Sequence, residues 1–301
     1  MAATPLPALS APVEYRRRRA RSLAAYCRRN PQLLVGAGLI LFLVLFGLAG
    51  RVFVNVGDAV ATSALPSQPP SRGHLLGTDS QGRDLLAVMV VGIPLTLWVG
   101  LIAGAVGVGV GVVLALVAGF RGGAVDAVIR TVVDSLLTVP GLLVLVVITA
   151  SIKGVISINV MALVIASLAW PHPTRTVRAQ VLTLRERSYL HVARFSGMHP
   201  LEVVFRELLP NLLPYIAASF VGAVAAAVLA TVGLEALGLG PQNESDLGMT
   251  IHWAIYYAAL IRGMWWWWLP PIVAVVLLFL GLYLMSAGLD EFANPRRRRA
   301  G

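Results

Sequence analysis

Charge is scarce in this chain. Asp, Glu, Lys and Arg together make up 13% of the 301 residues while hydrophobic residues make up 57%, and the mean hydropathy is +0.80. That balance excludes an ordinary soluble domain and equally a disordered one. Lysine is nearly missing: of the 24 basic residues all but Lys153 are arginine. The single cysteine, Cys27, excludes an intrachain disulfide and a cysteine metal site. The histidines His74, His172, His191, His199 and His252 are scattered without ligand spacing, so no metal is expected. There is no GxxxxGK[ST] loop, nucleophile elbow or metal motif, so the chain is not read as an enzyme and does not hydrolyse ATP by itself. The formal charge of +10 suggests nucleic acid at first sight. The arginines, however, lie in runs beside apolar segments and not along a soluble face, which reads as membrane orientation.

What the chain does have is long uncharged stretches. They cover residues 30–50, 85–120, 135–152, 154–174, 208–234 and 263–289, each close to the roughly 20 residues a spanning helix needs. The expectation is an all-α polytopic membrane protein with six transmembrane helices. The stretch 85–120 would make about 54 Å of helix, against a hydrocarbon core of about 30 Å. A break is therefore expected near Gly92-Ile93-Pro94, leaving residues 84–91 as a short surface helix. Arg16 to Arg19, Arg21, Arg28 and Arg29 precede the first span, and Arg296 to Arg299 follow the sixth. Arg121, Arg175, Arg178, Arg185, Arg187, Arg194 and Arg206 fall on the same side, while the opposite loops keep only Arg51, Arg72, Arg83, Lys153 and Arg262. By the positive-inside rule both termini are cytoplasmic. No A-x-A cleavage site follows Gly50, so the first span is expected to be retained. The resulting division is a basic tail at 1–30, a first span at 31–56, an extracytoplasmic loop with its surface helix at 57–91, a five-helix core at 92–289 that includes a cytoplasmic loop at 175–208, and a basic tail at 290–301. Gly, Ala and Val dominate the second to fifth spans, as in GAVGVGVGVVLALVAG, and such small residues let helices pack closely in lipid. The first span, GLILFLVLFGLAG, is bulkier and reads as peripheral.

The segment RERSYLHVARFSGMHPLEVVFRELLPNLLP, residues 185–214, is a basic amphipathic island between two apolar runs. Nothing breaks a helix before Gly197, which suits a C-cap. Pro200 suits the first turn of a second helix, whose Leu201, Val204, Phe205 and Leu208 share one face at i, i+3, i+4 and i+7. Two readings stand on physics alone. The first is a docking surface for a soluble partner, the second an amphipathic loop resting on headgroups.

At this point a family resemblance becomes specific. The segment is similar to the cytoplasmic EAA loop of permease subunits in binding-protein-dependent ABC importers, in the form R-E-R-E-Y-V-E-A-A-R-x-x-G followed about a dozen residues later by L-P-N. Arg185, Glu186, Arg187, Tyr189, Ala193, Arg194, Gly197, Leu209, Pro210 and Asn211 match, with Leu190 between them. His191 and Val192 stand where the Glu and first Ala of the motif would be, so a contact through that carboxylate is not carried over. HLLGTDSQGRD at 74–84, VDSLLTVP at 133–140, LGLGP at 237–241 and the C-terminal AGLDEFANPRRRR resemble the C-type subunit of dipeptide, oligopeptide and nickel permeases.

The resemblance implies the type I ABC importer permease fold in a bacterial plasma membrane. It implies half of a translocation pore, made with a second homologous permease. Two cytoplasmic ATPase subunits or domains would carry ATP and Mg, an extracytoplasmic binding protein would deliver solute, and this chain would bind no cofactor itself. Residues 185–197 with Pro210 and Asn211 would couple to the ATPases, and the solute expected is a di- or oligopeptide. An ion-coupled secondary transporter or channel that needs no ATPase is the alternative. Three smaller readings complete the expectation. Thr78 and Gln81 fit a capping box that starts the surface helix, or else Thr78, Asp79, Arg83 and Asp84 contact the binding protein. Glu235, with Thr231 one turn before it, lines the solute path or is hydrated near the interface. Arg130 and Asp134 can pair at i, i+4, and Trp265 to Trp268 read as an interfacial belt.

Overall fold

The computed structural model describes residues 30–188, 190 and 195–293. Among them the regular structure is helical, apart from one isolated bridge between Thr78 and Asp84. The helices are α1 (Pro31–Phe53), α2 (Leu85–Arg121), α3 (Gly123–Thr138), α4 (Gly141–Ser151), α5 (Ile158–Ala169), α6 (Pro171–Arg185), α7 (Leu209–Ala236), α8 (Leu247–Tyr256) and α9 (Trp265–Ala293). A short turn, Pro200–Glu202, and a π-turn, Val203–Leu208, lead into α7. Helices α1, α2, α7 with its leading turns, and α9 are each long and apolar enough to cross a membrane, and α3 and α4, bent by 84° where they meet, are so as a pair. Helix α5 has 12 residues and joins α6 through Trp170, whose backbone stays in the right-handed helical region. Counted with the start of α6 it occupies the fourth stretch of the sequence, and the fold is compatible with six crossings.

Helix α2 is the hub, and its glycines explain why. A Cβ on Gly100 would stand 2.6 Å from Val228 of α7, and one on Gly104 would stand 2.6 Å from Val224. Further along, Gly107 backs onto Ala169 of α5 while Gly111 meets Pro173 and Thr174 of α6. In lipid no hydrophobic drive pushes helices together, so close packing of such bare surfaces supplies the attraction. Val99, Ala103 and Ala115 between the glycines are fully buried.

The expected break at Gly92-Ile93-Pro94 does not occur, and the surface helix at 84–91 is instead the first two turns of α2, which runs unbroken for 37 residues through Pro94. Proline removes one backbone bond, to the carbonyl of Val90, and a single loss is tolerated when neighbours pack against it. Gly47 of α1 is seated on the Pro94 ring and the Val90 carbonyl, which supplies that packing. Nor does Thr78 start the helix. Asp84 is the N-cap, accepting from the Leu86 and Ala87 N–H groups at 2.8 and 3.1 Å, and Thr78 is tied into the loop through Leu65 and Gln68. The straight third span also gives way. Pro140 forbids a helical bond and pushes Val139 to φ −85°, ψ 132°, which produces the bend between α3 and α4.

Helix α1 lies at the edge, as its bulky composition suggests, with Gly36, Leu43 and Gly47 buried. Gly36 and Gly281 let its backbone meet α9 directly, and Asn30, the N-cap, donates from Nδ2 to Glu291 at 2.9 Å. A Cβ on Gly36 would fall 2.6 Å from the Gly281 carbonyl, whereas one on Gly38 meets nothing within 4 Å. Gly36→Val is therefore expected to destabilise the full chain in detergent by about 1–3 kcal/mol, read as a lower thermal midpoint, with Gly38→Val close to neutral.

Candidate functional site

Two features carry the chemistry, a segment at the basic end of the bundle and a cavity between helices. The segment leaves α6 at Arg185, whose Nη1 donates to the Gly119 carbonyl at 3.0 Å and whose Nε pairs with Glu186 at 3.2 Å. Glu186 and Arg187 are exposed. Leu190 is 1% exposed and joins Ala115 of α2, Val177 and Val181 of α6, and Val203, Leu208 and Leu212 at the start of α7 in one apolar cluster. Tyr189, His191, Ala193 and Arg194 lie outside the described residues. Gly197 has φ +78°, and a Cβ there would meet nothing within 4 Å, so it is the backbone conformation, and not crowding, that favours glycine at this position.

Beyond it His199 caps the turn at Pro200, as the first-turn proline anticipates. The expected apolar stripe is only half right. Val204 and Leu208 are buried along with Val203, but Leu201 and Phe205 are 61% and 62% exposed. Leu209 N–H donates to the Val204 carbonyl in a π-turn, a local widening of the helix. It sits where Pro210 has no N–H to offer the Arg206 carbonyl, and Asn211 Nδ2 donates to the Glu207 carbonyl at 2.6 Å. The segment thus exposes three apolar side chains, Phe195, Leu201 and Phe205, as well as Arg187 and Arg206.

Arg130 and Asp134 are both exposed. The ion pair that braces this end is between Arg178 of α6 and Asp126 of α3, two-pronged through Nε and Nη2 and four-fifths buried. A bidentate guanidinium–carboxylate pair fixes orientation as well as distance, so α6 and α3 move as one piece.

The cavity has a volume of about 630 Å³ and lies between α4, α5–α6, α7 and α9. Its polar groups come from His172, Thr176 and Gln180 on α6, Tyr215 and Ser219 on α7, and Ser286 and Asp290 on α9. Gly222, Ala223, Ala226 and Ala230 of α7 form a smooth opposite wall. Neither Glu235 nor Thr231 belongs to it. Both are fully buried, and Thr231 donates to the Ala227 carbonyl at 2.8 Å. Full burial also excludes the reading of Glu235 as a hydrated interfacial residue.

At the opposite end, Thr78, Asp79, Arg83 and Asp84 are at most 7% exposed and form the inside of the loop, not a contact surface. Asp79 holds Arg83 at 2.6 Å and accepts from the Gln81 and Arg83 N–H groups, while Asp84 meets His74 Nδ1 at 2.7 Å. The four consecutive tryptophans divide their roles. Trp267 is buried and stacks on Tyr257, Trp266 donates to the Thr78 carbonyl, and Trp265 is half exposed. Helix α8 has no counterpart in the expectation, although Asp246 with Met249 three residues on, its cap bond at 2.7 Å, is a legible N-terminal signal.

A multi-pass helical membrane protein with a structured basic connection at one end and a cavity among its helices has the form expected of a solute permease. Residues 111–299 match the family model described as binding-protein-dependent transport system inner membrane component. The chain is 30% identical over 218 residues to the oligopeptide transport system permease protein OppC of Mycobacterium tuberculosis, covering 72% of this chain and 74% of that one. It is 27% identical over 274 residues to the dipeptide transport system permease protein DppC of Bacillus subtilis, covering 90% and 84%. The chain belongs to the family of inner membrane components of binding-protein-dependent transport systems.

Leu190 pins the described parts of the segment to three helices, and Leu190→Ala is expected to cost about 2–5 kcal/mol locally. Limited proteolysis between residues 186 and 198 should accelerate accordingly while the remainder of the bundle stays resistant.

Proposed function

We propose that this chain is the transmembrane permease subunit of an ATP-driven, binding-protein-dependent importer of di- or oligopeptides in the bacterial plasma membrane. Both relatives above are named as peptide permeases and match over most of their length, which supports the cargo. The observation that carries the coupling reading is that one short segment exposes Phe195, Leu201 and Phe205 as well as Arg187 and Arg206. Several large apolar side chains left exposed among charged ones favour a protein-docking surface. Two cytoplasmic ATPases, holding ATP and Mg, dock at the basic end of this chain and of a second, homologous permease. The binding protein presents solute at the other end, which places both termini inside.

The geometry supports a mechanism. Closure of the ATPases presses on the 185–208 segment, and the push enters the bundle at fixed points. Leu190 passes it to α2, α6 and α7, Arg185 to the end of α2 through the Gly119 carbonyl, and the Arg178–Asp126 pair to α3. Of those helices, α6 and α7 line the cavity. Its hydroxyl, amide, imidazole and carboxyl groups offer donors and acceptors to a peptide backbone, and its alanine wall accommodates varied side chains without selecting among them. The ion-coupled alternative has one feature in its favour, the break at Pro140, but residues 135–152 around it carry no charge to hold an ion.

Uptake of a labelled dipeptide into proteoliposomes holding the assembled complex tests the reading. It should require ATP and stop when the ATPase subunits are inactivated; uptake that persists without hydrolysis removes the proposal. Gly197→Val forces a β-branched residue to φ +78°. This variant should insert normally and retain ATP hydrolysis while uptake falls by about tenfold, the size of a typical coupling between sites.

A further inference from the structure

The cavity wall on α6 is regular. His172, Thr176 and Gln180 stand four residues apart, and all three line the cavity. The residue after each of them, Pro173, Val177 and Val181, is buried, and this second stripe sets the direction of the first. Pro173 is seated on Gly111 of α2 and Val181 on Gly119, while both valines are fully buried in the cluster at the basic end. Packing on the glycines of α2 therefore holds the polar stripe toward the cavity. The stripe is open to a ligand. Among the described residues the side chains of His172 and Gln180 make no hydrogen bond. Thr176 Oγ1 donates within its own helix, to the His172 or the Pro173 carbonyl at 3.1 Å, which leaves its oxygen able to accept. On α7, Tyr215 and Ser219 repeat the four-residue spacing, also without a side-chain partner among the described residues.

Four residues of α-helix advance about 6 Å, so the three rungs span about 12 Å. An extended peptide advances about 3.3 Å per residue and presents backbone groups to the same side every second residue, about 6.6 Å apart. The two repeats differ by only about 0.6 Å per rung, a mismatch that a Gln side chain or a rotating imidazole absorbs. Such a stripe reads what every peptide has in common, since each residue carries the same backbone donor and acceptor. On the reading of this cavity as the solute path, we propose that His172, Thr176 and Gln180 form a backbone-binding ladder for an extended peptide of about four residues. A dipeptide, about 7 Å long, reaches two rungs at most and leaves the third bare. The permease thereby senses length, as the number of rungs filled, independently of the peptide's side chains. The same helix ends at Arg185, where the coupling segment begins, so the ladder and that segment belong to one element.

The test compares uptake of labelled tetraalanine and dialanine by the assembled complex in proteoliposomes, with the wild type and with Gln180→Leu and His172→Leu. The binding protein is the same throughout, so its own preference cancels when the ratio of the two uptakes is compared between variants. Each substitution removes an end rung that the longer peptide fills and the shorter one can forgo. The tetraalanine-to-dialanine ratio should fall by about threefold to tenfold, the worth of one hydrogen bond. Ala179→Leu places the same side chain one residue away, outside the cavity lining, and should leave the ratio unchanged. A ratio that stays at the wild-type value in both rung variants overturns the ladder. So does an equal fall in Ala179→Leu, or a wild-type complex that admits dialanine and excludes tetraalanine. The ratio is read whether or not uptake needs ATP, so loss of the ladder is distinguished from loss of the importer reading, which ATP-independent uptake of both peptides would show.

Discussion

Direct backbone contact along α2 is the constraint on which the remaining structure depends. Gly100, Gly104, Gly107 and Gly111 place that helix against α7, α5 and α6 with no side chain between, and lipid offers no hydrophobic drive to replace such packing. A long central helix held on several sides becomes a rod. The two ends of its 37 residues take part in two separate sets of contacts. At Arg121 it neighbours the 185–208 segment, and at Leu85 it emerges from the buried loop of Asp79, Arg83 and Asp84.

The site follows from that placement. Arg185 grips the Gly119 carbonyl near the end of α2, Leu190 fills the pocket between α2, α6 and α7, and Arg178 clamps α6 to α3. The segment is thus fastened at points while its apolar trio stays exposed. Of the helices that the segment grips, α6 and α7 also line the cavity, so under the proposed function one displacement can act on docking and solute passage together.

Much of this was legible in the chain. Long uncharged stretches, Gly197 and the Pro200 turn all follow local rules that the structure keeps. The failures share a physical cause: they occur where a neighbour supplies what the local sequence lacks. Pro94 reads as a breaker, and the helix survives it because Gly47 of α1 packs on the exposed carbonyl. Leu201 and Phe205 read as buried, yet the neighbouring helices cover only Val203, Val204 and Leu208 of that turn. Thr78 to Asp84 read as a surface because charged residues are usually solvated, yet Asp79 and Arg83 neutralise each other inside the loop. Glu235 read as exposed or solute-facing for want of a nearby base. It is instead buried against Gly248 of α8, a helix that lay in a stretch too short and mixed for periodicity to show.

The central claim is that the 185–208 segment receives an ATPase. Phe195 is 91% exposed on that segment and Leu75 is 66% exposed at the opposite end, and Cys27 can be removed to leave single-cysteine variants of each. With a thiol-to-amine crosslinker applied to the assembled complex, Phe195→Cys is predicted to yield a permease–ATPase adduct and Leu75→Cys none. An ATPase adduct from Leu75→Cys, or none from Phe195→Cys in a complex that hydrolyses ATP, would contradict the account.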